Sequence, residues 1–326
     1  MDKTFRHVIR DRKEISVRYD YETKALWAYS NPTGRPCYTI ELLTEYRQLQ
    51  WDLIDYYKDD TIENKVEVNY FVNASLTPDI YSYGGDLNLF IKLIEKKDRE
   101  TLYEYGKISI DSVYLNMVNL NLPLTTISLV EGTALGGGFE NALSCNVCIA
   151  EEQVEMGLPE IRFNLIPGMG AYSFLARRIG TRKTEDMLYG GRLHEAQELY
   201  DMGVIGHIAK AGEAEATVNK FMKKSQRFTN SMQAINATRQ RYESISYDEL
   251  LDILGIWADA ALRLGEKDIK MMKKLVEAQD KKDLSIMKQL RTKQDRRIQD
   301  EGIEGFFAYD EMTLKEDRRK GESSRR

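Results

Sequence analysis

The sequence predicts an α/β fold in which strands alternate with helices through crossover connections. Three observations carry that prediction. Short apolar runs at 126–130 and 147–150 read as buried strands. Helical spacing of apolar residues sits between such runs, as in Ile40, Leu43, Tyr46, Leu49, Leu53 and Tyr56. From about Glu213 onward glycine becomes sparse and long helical stretches follow at 214–228, 247–264 and 267–297. The expected organisation is therefore an α/β core over 1–212 and a helical lobe over 213–326. With 326 residues, 42% of them hydrophobic, the chain can bury a sizeable core.

The elements follow in order. Residues 1–12 are charged and read as frayed. Two strands, 15–19 and 25–29, are joined by the polar turn Tyr21-Glu-Thr-Lys24. A Pro32 to Pro36 loop precedes a helix over 39–57. A loosely alternating strand is expected at 66–72 and a loop at 78–85. Residues 87–120 read as helical, with a break near Gly106. Pro167-Gly-Met-Gly170 punctuates the chain before a helix over 171–179. The stretch 268–297 is charged with a sparse apolar stripe (Ile269, Met272, Leu275, Leu284, Met287), and the tail from Lys315 is polar and reads as disordered.

Composition narrows the function classes. A formal net charge of −5 argues against nucleic acid as a main partner. No apolar run is long enough to span a bilayer, so a soluble, cytoplasmic chain is expected. Three cysteines make no disulfide framework. Cys145-x-x-Cys148 lacks a second ligand pair, and the histidines are only His7, His194 and His207, so no metal and no cofactor is expected.

The chemistry points to 129–140, Leu-Val-Glu-Gly-Thr-Ala-Leu-Gly-Gly-Gly-Phe-Glu. A strand, then Gly136, Gly137 and Gly138, then a helix start make an anion pocket of free amide donors. Glu140 lies within one turn of that pocket, and a second carboxylate follows in Leu158-Pro-Glu160. Other readings are open. The glycines could bind a phosphate, but Asn141 stands where a dinucleotide fingerprint wants glycine. They could serve only tight helix–strand packing. Glu140 could be a solvated first-turn glutamate and Glu160 a surface loop carboxylate.

Five motifs in order resemble the crotonase (enoyl-CoA hydratase/isomerase) superfamily. They are Tyr83-Gly-Gly85-Asp86-Leu87, Gly132-x-Ala-Leu-Gly-Gly-Gly-x-Glu140, Leu158-Pro-Glu160-Ile, Ile166-Pro-Gly168-Met-Gly170, and the segment from Thr184 through Gly203-Val-Ile. The resemblance covers about residues 65–210. Within it, Gly85-Asp-Leu-Asn-Leu-Phe90 and Pro167-Gly-Met-Gly-Ala-Tyr-Ser-Phe-Leu-Ala-Arg-Arg-Ile-Gly180 look like the diffusible signal factor synthases, bacterial enzymes that make cis-2-unsaturated fatty acid signals.

The resemblance implies a spiral of β-β-α turns with a C-terminal helical lobe that covers the acyl end of the site. It implies an oxyanion hole from the N–H groups of Gly85 and Gly137. Glu140 and Glu160 become the catalytic acids, and the Gly168 backbone helps hold the water or hydroxyl. It further implies dehydration of a medium- or long-chain 3-hydroxyacyl group on acyl carrier protein to the cis-2-enoyl thioester, then hydrolysis to the free acid. The implied assembly is a homotrimer or dimer of trimers, with a sensor domain as regulatory partner. Met169 and Trp257 are candidates for the acyl-pocket lining, ordinary core being the other reading. Lys92, Lys96 and Lys97 could form a basic rim for an acidic carrier or a solvated helix face. Two further functions are open: an enoyl-CoA hydratase of fatty acid degradation, and a crotonase-fold binding partner of a signalling domain.

Overall fold

A computed structural model describes residues 3–281. The chain divides into two compact units, Met1–Gln279 and Asp280–Arg326, and the description concerns the first. The helix expected to continue beyond 281 and the tail from Lys315 lie outside the described residues.

The chain opens with helix α1 (Lys3–Val8), strands β1 (Ile15–Asp20) and β2 (Ala25–Ser30), and helix α2 (Ile40–Lys58). Residues 5–8 are not frayed: Phe5 and Val8 are fully buried, and Phe5 meets the rings of Tyr19 and Tyr56 at 5.1 and 5.2 Å. Charged neighbours hid that anchor in the sequence. Thr39 caps α2, its side chain accepting from the Leu42 N–H at 3.1 Å.

Next come β3 (Tyr70–Ser75), β4 (Ile80–Ser82), α3 (Leu87–Glu95) and α4 (Arg99–Met117). The strand expected at 66–72 starts four residues later. Tyrosine hydroxyls of α2 serve the backbone of the earlier residues instead: Tyr56 Oη accepts from Val66 N and Tyr57 Oη from Val68 N, both at 2.7 Å. The helix break lies at 96–98 rather than near Gly106. Asp98 restarts the helix as its cap, accepting from Thr101 N at 3.1 Å, while Gly106 is buried within α4.

The centre of the chain supplies β5 (Thr125–Val130), β6 (Thr133–Leu135), α5 (Gly137–Ser144), β7 (Val147–Glu151), β8 (Glu155–Gly157) and a 3-10 turn at Pro159–Phe163. Then follow α6 (Ala171–Ile179), α7 (Thr181–Gly190), β9 (Leu193–Glu195), α8 (Ala196–Asp201) and β10 (His207–Ala209). The last elements are α9 (Ala214–Gln226), α10 (Thr229–Tyr242) and α11 (Tyr247–Ala261), with helical residues over 266–279. Helix α10 was not expected; its only buried residue is Asn236, so it shows no apolar stripe.

Two sheets result. The larger has the order β1-β2-β3-β5-β7-β10, the smaller β4-β6-β8-β9. Beyond the antiparallel β1–β2 hairpin, every pairing in the larger sheet is parallel. Each pair β3–β4, β5–β6 and β7–β8 puts its first strand in the larger sheet and its second in the smaller, and helical structure follows. That is the spiral of β-β-α turns. Every residue of β5 is buried, as expected of a parallel strand covered on both faces. Ile127 and Leu129 pack with Val218 and Met222 of α9, while Ser128 Oγ donates to the Ala142 carbonyl of α5 and Thr126 Oγ1 to the Asn116 carbonyl of α4. Both Cys145 and Cys148 are buried and free. Among the described residues no helix is long and apolar enough to cross a membrane.

The burial of α1 is testable. Phe5→Ala should cost about 3–5 kcal/mol of folding stability in urea denaturation, the usual cost of emptying a buried aromatic site. A cost below about 0.5 kcal/mol would show the segment to be dispensable.

Candidate active site

The site is built where β6 passes into α5. Gly136 has φ +49° and caps α5 without a side chain. A Cβ there would collide with Oε1 of Glu160. One residue on, a Cβ on Gly137 would lie 2.7 Å from Met169 Sδ and 3.5 Å from the Gly85 nitrogen. A Cβ on Gly138 would lie 2.6 Å from the Ser82 carbonyl oxygen. Each of the three glycines therefore admits a different neighbour: a carboxylate, the opposite loop and strand β4. This close approach is why the run contains no side chain.

The helix so placed carries Glu140 inward, only 1% exposed. Its Oε1 accepts from the N–H of Met169 at 2.7 Å and of Ala171 at 2.9 Å. Those donors come from the turn that opens α6, where Gly170 takes φ +107°. Burial raises the Glu140 carboxyl to about 7, and the two amides pull against that rise. Glu160 sits in the 3-10 turn after β8 and is half-buried. Its Oε2 is shut off from solvent and has no hydrogen-bond partner among the described residues. Burial first, and then the charge of Glu140, pushes Glu160 up to about 8. Two amides favour the ionised form of Glu140 and nothing comparable favours that of Glu160, so Glu160 holds its proton more tightly than Glu140.

Across the cavity stand two free donors. Neither the Gly85 nor the Gly137 N–H donates to a partner among the described residues. The Gly85 loop is fixed from both sides. Tyr38 N donates to Gly84 O at 2.7 Å, and the Tyr105 hydroxyl accepts from Asp86 N at 3.2 Å while donating to Tyr38 O. Paired, unengaged amides beside two acids are what an enolate or a tetrahedral oxyanion requires.

All seven residues singled out in the sequence line one cavity of about 150 Å³: Gly85, Gly137, Glu140, Glu160, Gly168, Met169 and Trp257. A Cβ on Gly168 would lie 2.6 Å from Cγ of Trp257, so indole and glycine backbone pack face to face. The three lysines are exposed and none lines the cavity. Lys97 Nζ donates to Leu262 O at 2.6 Å. Sequence reasoning missed Phe90, Tyr105, Leu254 and Leu275, which line the same space. Phe90 meets Tyr105 at 5.0 Å and Trp257 at 5.2 Å, edge to face. Phe90 closes the motif 85–90, but for Tyr105, Leu254 and Leu275 the signal was helical periodicity, which does not separate a pocket wall from ordinary core. Among the described residues no group of three or more His, Cys, Asp or Glu could hold a metal ion.

The sequence family described as enoyl-CoA hydratase/isomerase matches residues 52–250. The chain belongs to that family, the crotonases. Among curated relatives, mitochondrial methylglutaconyl-CoA hydratase of Mus musculus is 29% identical over 172 residues, 52% of each chain. A probable enoyl-CoA hydratase of Bacillus subtilis is 31% identical over 150 residues, 44% of this chain and 56% of that protein. The chain thus spans about half the length of the curated relatives it matches. Among solved structures, Pseudomonas aeruginosa DspI superposes with TM-score 0.60 at 22% identity, covering 74% of this chain and 86% of DspI. Human mitochondrial delta3-delta2-enoyl-CoA isomerase superposes with TM-score 0.67 at 16% identity, covering 83% and 99%. These likenesses are of fold.

The Glu160 environment has a stability signature. A carboxyl raised from the ordinary range to about 8 costs the folded state nothing in acid, and a growing amount as pH rises from about 4.5 to about 8. Glu160→Gln should therefore stabilise the protein by about 0.5–2 kcal/mol near pH 9 and have little effect near pH 4. Denaturant titrations at both pH values check this, and an equal effect at the two would contradict the assigned environment.

Proposed function

We propose that this crotonase is a 3-hydroxyacyl-acyl carrier protein dehydratase with thioesterase activity, releasing a cis-2-unsaturated fatty acid used as a quorum-sensing signal. The observation that carries the reaction type is the carboxyl pair Glu140/Glu160 lining one apolar cavity with the free amides of Gly85 and Gly137. The carrier, the hydrolysis and the cis geometry rest on the sequence resemblance of 85–90 and 167–180 to the signal factor synthases. The same resemblance supplies the proposed homotrimer or dimer of trimers and a sensor domain as regulatory partner.

The chemistry balances on these groups. The thioester oxygen takes hydrogen bonds from Gly85 N and Gly137 N, which acidifies the C2 proton. One glutamate takes that proton as carboxylate while the other, as acid, protonates the departing 3-hydroxyl. Water leaves, and the pair still holds one proton. For hydrolysis an ionised glutamate takes a proton from water as its oxygen attacks the thioester carbonyl. The same two amides hold the tetrahedral oxyanion, and the thiol departs with a proton from the pair. Gly168 lies beside the carboxylates, where its backbone can hold the water or hydroxyl.

Two measurements test the reading. Incubated with a 3-hydroxyacyl-acyl carrier protein, the enzyme should release free unsaturated acid, seen by mass spectrometry, and Glu140→Gln or Glu160→Gln should each lose roughly 100-fold or more while remaining folded. Accumulation of enoyl thioester alone would favour the second reading, an enoyl-CoA hydratase, which the names of the curated relatives support. Secondly, kcat/KM should follow a bell with limbs near 7 and 8: below the bell both acids are protonated and no base remains, above it both are ionised and no acid remains. A rate that rises steadily through about pH 9 would remove the need for a protonated partner.

A further inference from the structure

Gly106 stands in the interior of a 19-residue helix, α4, where glycine costs stability relative to alanine and no turn needs its freedom. It is buried, it lines the acid-bearing cavity, and it faces α11. A methyl at this position would overlap Leu254 Cδ1 and lie 3.2 Å from Leu254 Cγ. Leu254 is itself 1% exposed and lines the same cavity. Ser109, one turn along α4 from Tyr105, also lines it, so this face of α4 forms one wall and Leu254 with Trp257 another. Any bulk added at 106 must displace the Leu254 side chain, which is itself buried in the packed core and lines the cavity.

We infer that Gly106 and Leu254 together set the length of acyl chain the cavity accepts, glycine giving the leucine room to lie back from the lumen. The inference rests on the reading of this cavity as an acyl thioester site. Residue 106 determines specificity by positioning Leu254, and Leu254 is the side chain that meets the distal methylenes. In an apolar pocket one methylene of misfit typically changes kcat/KM by roughly 10-fold or more.

The test uses the whole chain and 3-hydroxyhexanoyl, 3-hydroxydecanoyl and 3-hydroxytetradecanoyl thioesters of acyl carrier protein. Gly106→Ala, which favours the helix, should lower kcat/KM for the tetradecanoyl substrate roughly 10-fold or more relative to the hexanoyl substrate. Leu254→Ala should shift preference the other way. Gly106→Ala with Leu254→Ala should recover tolerance of the longest chain, because the added methyl then has room. Thermal melts of each variant separate specificity from loss of fold, with Leu254→Val as the milder probe if Leu254→Ala does not fold. Uniform changes across the three lengths, or no recovery in the double variant, would overturn the gate. Absence of turnover with any thioester by the unsubstituted protein would instead refute the underlying reading of the cavity.

Discussion

The hydrogen bonds from the N–H groups of Met169 and Ala171 to one oxygen of Glu140 tie the molecule together. They join the start of α5 to the start of α6, and so two successive turns of the spiral. They also decide where charge resides. A carboxyl this deeply buried is driven towards neutrality, and two amides hold its ionised form within reach of neutral pH. Glu160, close enough to feel that charge and without a partner for Oε2, keeps its proton. Two groups of the same residue type thus hold their protons unequally because their surroundings differ.

This arrangement requires α5 not to move, and a buried polar network below it holds the helix. Tyr81 donates to Asn141 Oδ1 at 2.9 Å, Asn116 Nδ2 to Ser144 Oγ at 3.0 Å, and Ser128 Oγ to the Ala142 carbonyl at 2.9 Å. Gln50 of α2 reaches Asn116 at 2.9 Å, and Asn73 of β3 donates to Cys145 Sγ at 3.1 Å. Partners on two helices and three strands therefore fix the rotation and height of α5. Asn141, the departure from a phosphate-binding fingerprint, is part of that anchorage. Such networks fix one arrangement because each broken bond leaves a buried polar group unsatisfied.

What the sequence revealed follows from where the physical signal is local. The strand–glycine–helix passage at 126–140 was legible because close approach forces glycine and burial forces an apolar run. That Glu140, Glu160, Gly85 and Gly137 meet at one cavity was legible from the order of five motifs, which also gave the family. Signals that depend on distant partners were not. The start of β3 moved because Tyr56 and Tyr57 took over backbone groups that alternation assigned to a strand. Gly106 read as a helix break, although its cause is Leu254, distant in sequence. Tyr105 holds the Gly85 loop through bonds to Asp86 N and Tyr38 O, which helical spacing cannot announce. The anchor in α1 was hidden because Phe5 and Val8 are spaced among charges.

On the proposed reading, one acyl thioester lies with its oxygen on the two glycine amides and its C2–C3 bond between the two glutamates. A crystal structure with a non-hydrolysable 3-hydroxyacyl pantetheine analogue tests it most directly. The carbonyl oxygen should lie at about 2.7–3.1 Å from both Gly85 N and Gly137 N, with C2 and the 3-hydroxyl within reach of Glu140 and Glu160. An analogue bound with its carbonyl away from those amides, or with both carboxylates on the same distant side of the chain, would contradict it.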